Sequence, residues 1–392
     1  MIKIAFAFSR DINYAGRIQK LVRSLLKIDN VFIDFYDKYN DSSSLIINDI
    51  RVRNEGKSFR IRKNKLINFV QTILYNLKTG YLVAKARTPF MVCHDVTPLY
   101  AGYIAKKKNP DLFLIYDCNE LSLESMKHQN QIKIRFFDYV LRKTIPQCDA
   151  ILQVDELRGE YLKSQYPFDI NKQIIIKNFP KKDLFQPIEK MEIERNVYRT
   201  VYFGNIAADR EVDKIIEAFI QLNDNYYLDI IGNGKEHYIR KIKNIALKAQ
   251  HRIRILPPIN QDEISNILQK YQIGFMFYRP DNLNHLYCAP NKIYEYLFNR
   301  LCIITYNLPS IRSMIIDNKV GVCINKITAE NIKLAIDEIY INNYFKNITD
   351  NLLKLFTWEC QEPQLLSLFE RKIGNQSDAT NTQKNCYSDS TT

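Results

Sequence analysis

The stretch PNKIYEY at residues 290–296 lies between two apolar, strand-like runs, 273–278 and 301–305. Proline suits the first turn of a helix, because its missing N–H would have no intrahelical partner there. Ile293, Leu297 and Leu301 then recur at every fourth position, which predicts a face packed on a core. The stretch is therefore predicted to open a helix, over about residues 290–300, that joins two buried strands.

A different face of this helix presents Lys292 and Glu295. A lysine beside a helix N-terminus favours anions, and a glutamate one turn later can accept hydrogen bonds from sugar hydroxyls. Such a pair suits a nucleotide site. A capped helix with a solvated Lys/Glu pair fits the same seven residues, so both interpretations stay open at this point.

Strand-like and helix-like runs alternate along the whole chain, which predicts βαβ units and parallel sheets. The predicted strands of the first half lie at 2–8, 31–36, 90–94, 112–116, 150–154 and 174–176. Those of the second half lie at 201–203, 227–231, 252–256, 273–278, 301–305 and 322–324. The fold class is therefore α/β, with two tandem Rossmann-like domains and an inter-domain cleft as the expected binding place.

The predicted boundaries follow changes in composition. We expect an N-terminal domain, a polar linker with two prolines, a C-terminal domain, C-terminal helices, and a disordered tail that is rich in Asn, Ser and Thr. The corresponding ranges are 1–178, 179–197, 198–345, 346–373 and 374–392.

Composition narrows the class of protein further. The eight cysteines form no CxxC pair and most lie in apolar runs, which favours reduced, packed thiols over a disulfide framework or a zinc site. No apolar run approaches the roughly 20 residues that span a bilayer, and the N-terminus does not resemble a secretory signal. We expect a cytoplasmic protein, peripheral on the inner face of the cell membrane.

The net charge of +13 is concentrated between residues 51 and 87, where ten cations accompany one acid, Glu55. Just after the densest part, apolar residues recur at helical spacing, which predicts an amphipathic helix whose stripe is core. Basic residues beside such a helix suit an anionic membrane surface; solvated cations around a packed helix are the alternative. The predicted stripe consists of Leu66, Phe69, Val70, Ile73, Leu74 and Leu77.

Glycines follow two predicted strands of the second half, in Phe203-Gly204-Asn205-Ile206 and Gly232-Asn233-Gly234. Glycine permits tight turns and close approach of backbone N–H groups to a phosphate, although a plain turn fits as well. The pattern lacks the last glycine of G-x-G-x-x-G, and the chain has no G-x-x-x-x-G-K-[ST]. A dehydrogenase or a P-loop NTPase is therefore poorly supported.

Polar residues also end two strands of the first half: His94 and Asp95 end one, and Asp117 and Glu120 follow the next. His94 is placed to bind a sugar or to assist a proton transfer, and the carboxylates to accept hydrogen bonds from acceptor hydroxyls. A structural histidine and helix-capping acids remain the alternatives.

Taken together, these motifs resemble the GT-B glycosyltransferases, specifically family 4, the bacterial retaining enzymes that build surface polysaccharides. Residues 114–120, LIYDCNE, are similar to an "IYDxHE" segment; 93–95, CHD, to "HxHD"; and 177–180, KNFP, to an Asn-x-Pro run. The resemblance covers roughly residues 1–345. Asn119 replaces the histidine of the first motif.

The resemblance implies a metal-independent hexosyltransferase, with no cofactor, that moves a sugar with retention from a nucleoside-diphosphate sugar to a lipid-linked or polysaccharide acceptor. It implies that Glu295 binds the ribose, that Arg210 and Lys292 neutralise the diphosphate, and that the glycine loops approach the nucleotide. The implied nucleotide-sugar residues are Gly204, Asn205, Arg210, Gly232, Gly234, Tyr287, Asn291, Lys292 and Glu295. The implied catalytic residues are His94 and Glu120, and the acceptor-side residues are Asp95 and Asp117.

Two positions depart from the family pattern. Tyr287 stands eight residues before Glu295, where the family's E-x7-E has its first glutamate, and Asn205 stands where an arginine is common. A GT-B nucleotide-sugar epimerase is the alternative enzyme. The basic stretch also suggests a nucleic-acid-binding protein as a further alternative. We expect no nucleic acid as a partner, because nucleic-acid binding would leave the strand-end glycines unexplained.

Overall fold

The computed structural model describes residues 2–9, 15–38, 44–47, 50–54, 65–125, 131–184, 196–260 and 263–388. The chain divides into two α/β units, each with its own sheet and core. The first unit comprises Met1–Lys177 and Gln361–Thr392, and the second comprises Asn178–Cys360. The α/β class and the two Rossmann-like domains predicted from the sequence are confirmed.

The first sheet has eight strands: β1 (Ile2–Phe8), β2 (Val31–Asp37), β3 (Ser44–Ile47), β4 (Ile50–Asn54), β5 (Phe90–His94), β6 (Phe113–Cys118), β7 (Ala150–Gln153) and β8 (Gln173–Ile175). Their order is β3-β4-β2-β1-β5-β6-β7-β8, parallel except between β3 and β4. The β3–β4 hairpin was not expected, because a short run with alternating arginines resembles a solvated segment. Strand order reverses beside β1, so the ends of β1, β5 and β6 are where a ligand is expected.

The helices of this part are α1 (Gly16–Leu25), α2 (Lys65–Lys85), α3 (Leu99–Lys108), α4 (Ser122–Ser125), α5 (Gln131–Thr144) and α6 (Glu156–Gln165). Helix α2 contains the amphipathic stripe, and the expectation that this stripe is core is wrong. Leu66, Val70, Leu74 and Leu77 are exposed, while Phe69 and Ile73 are half-buried. Other residues of α2 make its inward contacts. Of the ten cations between 51 and 87, those at 51–65 have side chains outside the described part.

The second sheet has six parallel strands: β9 (Tyr198–Phe203), β10 (Tyr226–Ile231), β11 (Ile253–Leu256), β12 (Ile273–Met276), β13 (Cys302–Tyr306) and β14 (Gly321–Ile324). Their order is β11-β10-β9-β12-β13-β14. The order reverses between β9 and β12, and open α/β sheets bind ligands beyond the carboxyl ends of strands at such a point.

The helices that follow are α7 (Val212–Ile220), α8 (Glu236–Ala246), α9 (Ile264–Leu268), α10 (Leu283–Leu286), α11 (Lys292–Phe298), α12 (Pro309–Asp317), α13 (Ala329–Ile341), α14 (Asp350–Lys354) and α15 (Trp358–Ser388). Helix α11 begins two residues after Pro290. From Gln361 onward α15 belongs to the first unit, where Glu362 accepts a hydrogen bond from the Ser24 hydroxyl at 2.7 Å.

The tail differs from the expectation, because α15 continues through Ser388 where a disordered segment was predicted from residue 374. Asn, Ser and Thr are weak helix formers, so composition alone pointed away from a helix there. Most of the predicted linker, 179–197, lies outside the described residues. In the described parts of the chain, no helix is both long and apolar enough to cross a membrane.

Candidate functional site

The hydroxyl of Tyr296 links α11 to the point where the second sheet reverses its strand order. It accepts a hydrogen bond from the backbone N–H of Phe203, at the end of β9, at 2.9 Å. It also donates to the carbonyl oxygen of Phe275 in β12 at 3.0 Å. A Cβ atom on Gly274 would lie 2.6 Å from the Tyr296 ring, so glycine there lets the ring lie on the strand. These contacts fix α11 against the ends of β9 and β12.

Lys292, in the first turn of α11, is buried between strand-end residues. Its side-chain nitrogen lies 4.2 Å from the centroid of the Tyr202 ring, an arrangement that stabilises a cation. A Cβ atom on Gly204 would come within 2.9 Å of the lysine Cε and Nζ atoms. Gly204 also has φ +119°, a conformation that favours glycine. The glycine after β9 therefore makes room for the lysine.

The charges of this helix face are coupled. Burial lowers the pKa of Lys292, the Glu295 carboxylate opposes this shift and Arg210 adds to it, and the net result is a pKa of about 7. Burial raises the pKa of Glu295, and Lys292 opposes that shift. Lys292 is thus a cation that loses solvation without full compensation from carboxylates. A bound anion would restore its charge, because an opposite charge nearby favours the ionised form.

Arg210 ends a short 3₁₀ turn, Ala208–Arg210, two residues before α7 begins. Its guanidinium carbon lies 4.1 Å from the centroid of the Tyr278 ring. Its Nη1 atom donates to the Asp209 carboxylate at 2.9 Å and lies 3.0 Å from Nε2 of His285. Since Nδ1 of His285 lies 2.8 Å from the Arg279 carbonyl, we assign the proton to Nδ1 and the acceptor role to Nε2. We call Arg210, Lys292 and Glu295, with the rings of Tyr202 and Tyr278, the Lys292 cluster.

The predicted glycine loops pack on each other. A Cβ atom on Gly232 would lie 1.8 Å from the Gly204 carbonyl oxygen, and one on Gly234 would lie 2.1 Å from that of Ile206. The Ile206 N–H donates to the Asn233 carbonyl at 2.7 Å. All three glycines therefore have a packing role, and their approach to a nucleotide stays a prediction.

For the other predicted nucleotide-sugar residues, Asn205, Asn291 and Tyr287, the described contacts do not define a role. Asn205 is exposed, and its carbonyl accepts a hydrogen bond from the Tyr202 hydroxyl at 2.5 Å. Asn291 is exposed at the N-cap of α11. Tyr287 is half-buried at the end of α10, where its N–H donates to the Leu283 carbonyl at 2.9 Å.

In the first unit, His94 and Asp117 at strand ends form a buried charged group with Arg17 of α1, which we call the Asp117 triad. One Asp117 oxygen accepts from Nε and Nη2 of Arg17 at 2.9 and 2.7 Å. The other lies 2.5 Å from Nδ1 of His94. Arg17 also donates to the Ile176 carbonyl at 2.6 Å. We expected Asp117 to receive acceptor hydroxyls; instead it is fully buried and both of its oxygens serve protein groups.

The triad sets the charge of His94. Burial disfavours the imidazolium, but the carboxylates of Asp95 and Asp117 outweigh it and raise the pKa of His94. Burial likewise opposes the Asp117 carboxylate, yet Arg17 and His94 lower its pKa to about 2. The shift increases the share of the imidazolium, which can donate hydrogen bonds from both ring nitrogens. Both roles expected from the sequence, sugar binding and proton transfer, stay predictions.

Asp95 and Glu120 flank this triad. Asp95 has a left-handed backbone, φ +63°, and its carboxylate lies 3.7 Å from Nε2 of His94. Glu120 is half-buried just after β6, where its carbonyl accepts a hydrogen bond from the Ser122 hydroxyl at 3.3 Å. The Asp95 carboxylate is thus close enough to favour the charged form of His94. The catalytic role of Glu120 stays a prediction.

Sequence reasoning missed several residues of both groups because they lack a motif. A cation among the apolar positions of α1 was the available signal for the arginine, and aromatic residues at strand ends were the signal for the tyrosines. The missed residues are Arg17, Tyr202, Tyr278, His285 and Tyr296. Among the described residues, no group of three His, Cys, Asp or Glu side chains could hold a metal ion.

Comparison with solved structures identifies the architecture. Sucrose-phosphate synthase from Thermosynechococcus elongatus superposes with a TM-score of 0.71 at 13% identity, covering 96% of this chain and 100% of that chain. The chain has the GT-B fold. The lipopolysaccharide outer core galactosyltransferase WaaB gives a TM-score of 0.70 at 12% identity, over 96% and 100% of the two chains. Anabaena HepE in complex with UDP-glucose gives 0.66 at 10% identity, over 95% and 100%.

A family model adds a local match within this GT-B chain. Residues 188–351 match the model described as "Glycosyl transferases group 1". That range contains every residue of the Lys292 cluster. A search of curated proteins found no match to the sequence. The local match and the fold together support a glycosyltransferase.

Proposed function

We propose that the protein is a retaining, metal-independent glycosyltransferase of family 4. It transfers a hexose from a nucleoside-diphosphate sugar to a lipid-linked or polysaccharide acceptor in cell-surface glycan biosynthesis. The observation that best supports this is the Lys292 cluster, which places two cations and a carboxylate where strand order reverses in the second sheet. Two of the solved GT-B neighbours support a sugar-nucleotide donor: WaaB is a galactosyltransferase, and HepE was solved in complex with UDP-glucose.

The donor would bind through complementary charge. Arg210 and Lys292 would neutralise the diphosphate, and Glu295 would accept hydrogen bonds from the ribose hydroxyls. As the bond between the sugar and the diphosphate breaks, negative charge grows on the leaving diphosphate. The two cations would stabilise that charge most in the transition state, which is where catalysis gains.

The acceptor would bind in the first unit, where protonated His94 would donate a hydrogen bond to a sugar oxygen. Glu120 and Asp95 remain the proposed catalytic and acceptor-side carboxylates there. A lipid-linked acceptor would require the protein to work at the inner face of the cell membrane, attached peripherally through the region at residues 51–87.

A screen of nucleotide sugars tests the proposal, with donor hydrolysis and sugar transfer measured by release of nucleoside diphosphate. We expect one base and one sugar to be preferred, and Arg210→Met to lower turnover by about 100-fold or more, because charge-assisted contacts to the leaving group are lost. Arg240→Met, on an exposed arginine of α8, is the matched control. Interconversion of the free nucleotide sugar without transfer would instead identify an epimerase and overturn the transferase.

A further inference from the structure

Helix α2 exposes an apolar stripe although its inward side buries the polar side chains of Thr72, Asn76 and Thr79 beside Tyr75 and Val83. Val70, Leu74, Leu77 and Tyr81 follow one another at intervals of four, three and four residues, which places them on one side of the helix. They are 47, 49, 44 and 52% exposed. Along the axis they cover about 16 Å, at about 1.5 Å per residue. A helix of a soluble protein normally turns such an apolar stripe toward the core.

The inward face is specifically bonded, so α2 cannot turn to bury its stripe without breaking contacts. The Asn76 amide oxygen accepts from the Ala101 N–H of α3 at 2.9 Å, and the Tyr75 hydroxyl donates to the Tyr36 carbonyl at 2.6 Å. The Thr72 hydroxyl accepts from Nζ of Lys38 at 2.7 Å. A Cβ atom on Gly80 would lie 2.7 Å from the Ala101 carbonyl oxygen, so the two helices are closely packed.

The surroundings of the stripe are positive. Helices α2 and α3 contain six lysines and no acidic residue. Lys106 pairs with Asp149 at 2.9 Å, but Lys85, Arg87, Lys107 and Lys108 are exposed. The Lys108 nitrogen lies 5.9 Å from the Tyr81 ring centroid, so a cation borders the apolar stripe directly.

We infer that α2 lies flat on an anionic lipid surface, with Val70, Leu74, Leu77 and Tyr81 among the acyl chains and the nearby lysines on the head groups. An apolar stripe bordered by cations fits this partner, because lipid insertion buries the stripe while anionic head groups pair with the charge. A tyrosine beside a lysine also suits the interface between chains and head groups. The inference deepens the proposed membrane attachment and is independent of the sugar-transfer chemistry.

Vesicle flotation of the full chain tests it, with phosphatidylglycerol-containing vesicles against pure phosphatidylcholine. We expect the wild type to float with the anionic vesicles only. The double variant Leu74→Asp/Leu77→Asp should bind at least about tenfold less, since each inserted leucine contributes to partition. The matched control is Leu247→Asp/Leu355→Asp, on two exposed leucines of the second unit, which should float like the wild type.

The depth of the stripe is tested by a Val70→Trp variant. The native chain has a single tryptophan, Trp358, which is buried and gives a constant background. We expect the added fluorescence to shift to the blue with anionic vesicles, and a Leu247→Trp variant to show no shift. Charge is tested by Lys107→Glu/Lys108→Glu, which should weaken flotation, against Lys248→Glu as the control.

Several results would overturn the inference: no flotation of the wild type, equal flotation of Leu74→Asp/Leu77→Asp, or no shift for Val70→Trp. A dimer that the aspartates convert to a monomer, with unchanged flotation, would identify the stripe as a contact between copies. Nucleoside-diphosphate binding is measured on the same samples. If the wild type does not bind nucleoside diphosphate, that result counts against the donor site and not against the lipid-binding helix.

Discussion

The side-chain nitrogen of Lys292 lies 4.2 Å from the centroid of the Tyr202 ring, and a Cβ atom on Gly204 would meet that lysine at 2.9 Å. The Tyr202 ring in β9 and Gly204 after that strand thus enclose the buried ammonium group of Lys292. Such a group costs stability in the free protein and becomes useful when an anion binds.

Lys292→Met should stabilise the free second unit and abolish diphosphate binding. The expected gain is about 1–4 kcal/mol in the free energy of unfolding, because methionine fills a similar volume without a desolvated charge. Differential scanning calorimetry with and without nucleoside diphosphate measures both effects. Lys248→Met, on an exposed lysine, should change neither the melting temperature nor the ligand-induced shift. A destabilised variant that still binds nucleotide would contradict the account.

Affinity for a nucleoside diphosphate should fall as pH rises. The pKa of Lys292 in the free protein is lowered to about 7, and binding requires its protonated form. Between about pH 7 and pH 9 binding must therefore take up a proton, and the dissociation constant should rise by up to about tenfold per pH unit. The ligand's terminal phosphate is already ionised over this range, since its second pKa is about 6.

Isothermal titration in buffers of different ionisation enthalpy measures both the affinity and the proton uptake. Lys292→Arg keeps the charge at every pH and should flatten the profile, even if its affinity is lower. A wild-type affinity that does not vary above pH 7 would show that Lys292 does not meet the diphosphate.

The Asp117 triad should make the stability of the first unit depend on pH. The pKa of His94 is raised in the folded state, so its contribution is complete below its unfolded value of 6.5 and is lost as pH rises through the raised value. The pKa of Asp117 is lowered to about 2, so its contribution is present above about pH 4 and is lost toward pH 2. The pair therefore stabilises most between about pH 4 and 6.5.

Calorimetric melting of wild type and His94→Gln tests this dependence. The stability advantage of the wild type should shrink between pH 6 and pH 9, because the raised pKa of His94 is passed in that range. His237→Gln, on an exposed histidine, is the control and should show no such change. An advantage that grows with pH would mean that the folded protein lowers the pKa of His94 and holds it neutral, which would contradict this account.

Gly204→Ala should damage the donor site and Gly16→Ala should not. At Gly204 the added methyl meets Lys292, and φ is +119°. We expect a loss of about 1–3 kcal/mol and weaker nucleotide binding, because both backbone and lysine must move. At Gly16, in the first turn of α1, a Cβ atom meets nothing within 4 Å. Alanine there should be neutral or slightly stabilising, as judged by calorimetry and titration.

Much of the fold could be predicted because buried parallel strands are short β-branched runs that the sequence shows directly. The alternation and the helix pattern singled out Lys292, Glu295 and Arg210, whose charges act on one another in the structure, while their role in binding a nucleotide stays a prediction. Their partners were not found, since Tyr202 and Tyr278 become neighbours only after the sheet forms. The apolar stripe on α2 was expected to face the core, but it is exposed. Periodicity defines a face but not what covers it, and hydrogen bonds of Asn76 and its neighbours decide which face packs inward.

The central claim is that Glu295 binds the ribose of a nucleotide held by the Lys292 cluster. Isothermal titration of the preferred nucleoside diphosphate and of its 2′,3′-dideoxy analogue, against wild type and Glu295→Ala, tests it in one cycle. We predict that the wild type binds the analogue about 10–100-fold more weakly and that Glu295→Ala binds both ligands equally, because the lost hydrogen bonds are to a charged group. Glu217→Ala, on an exposed glutamate of α7, should behave like the wild type. The same preference for the ribose hydroxyls in Glu295→Ala as in the wild type would contradict the account.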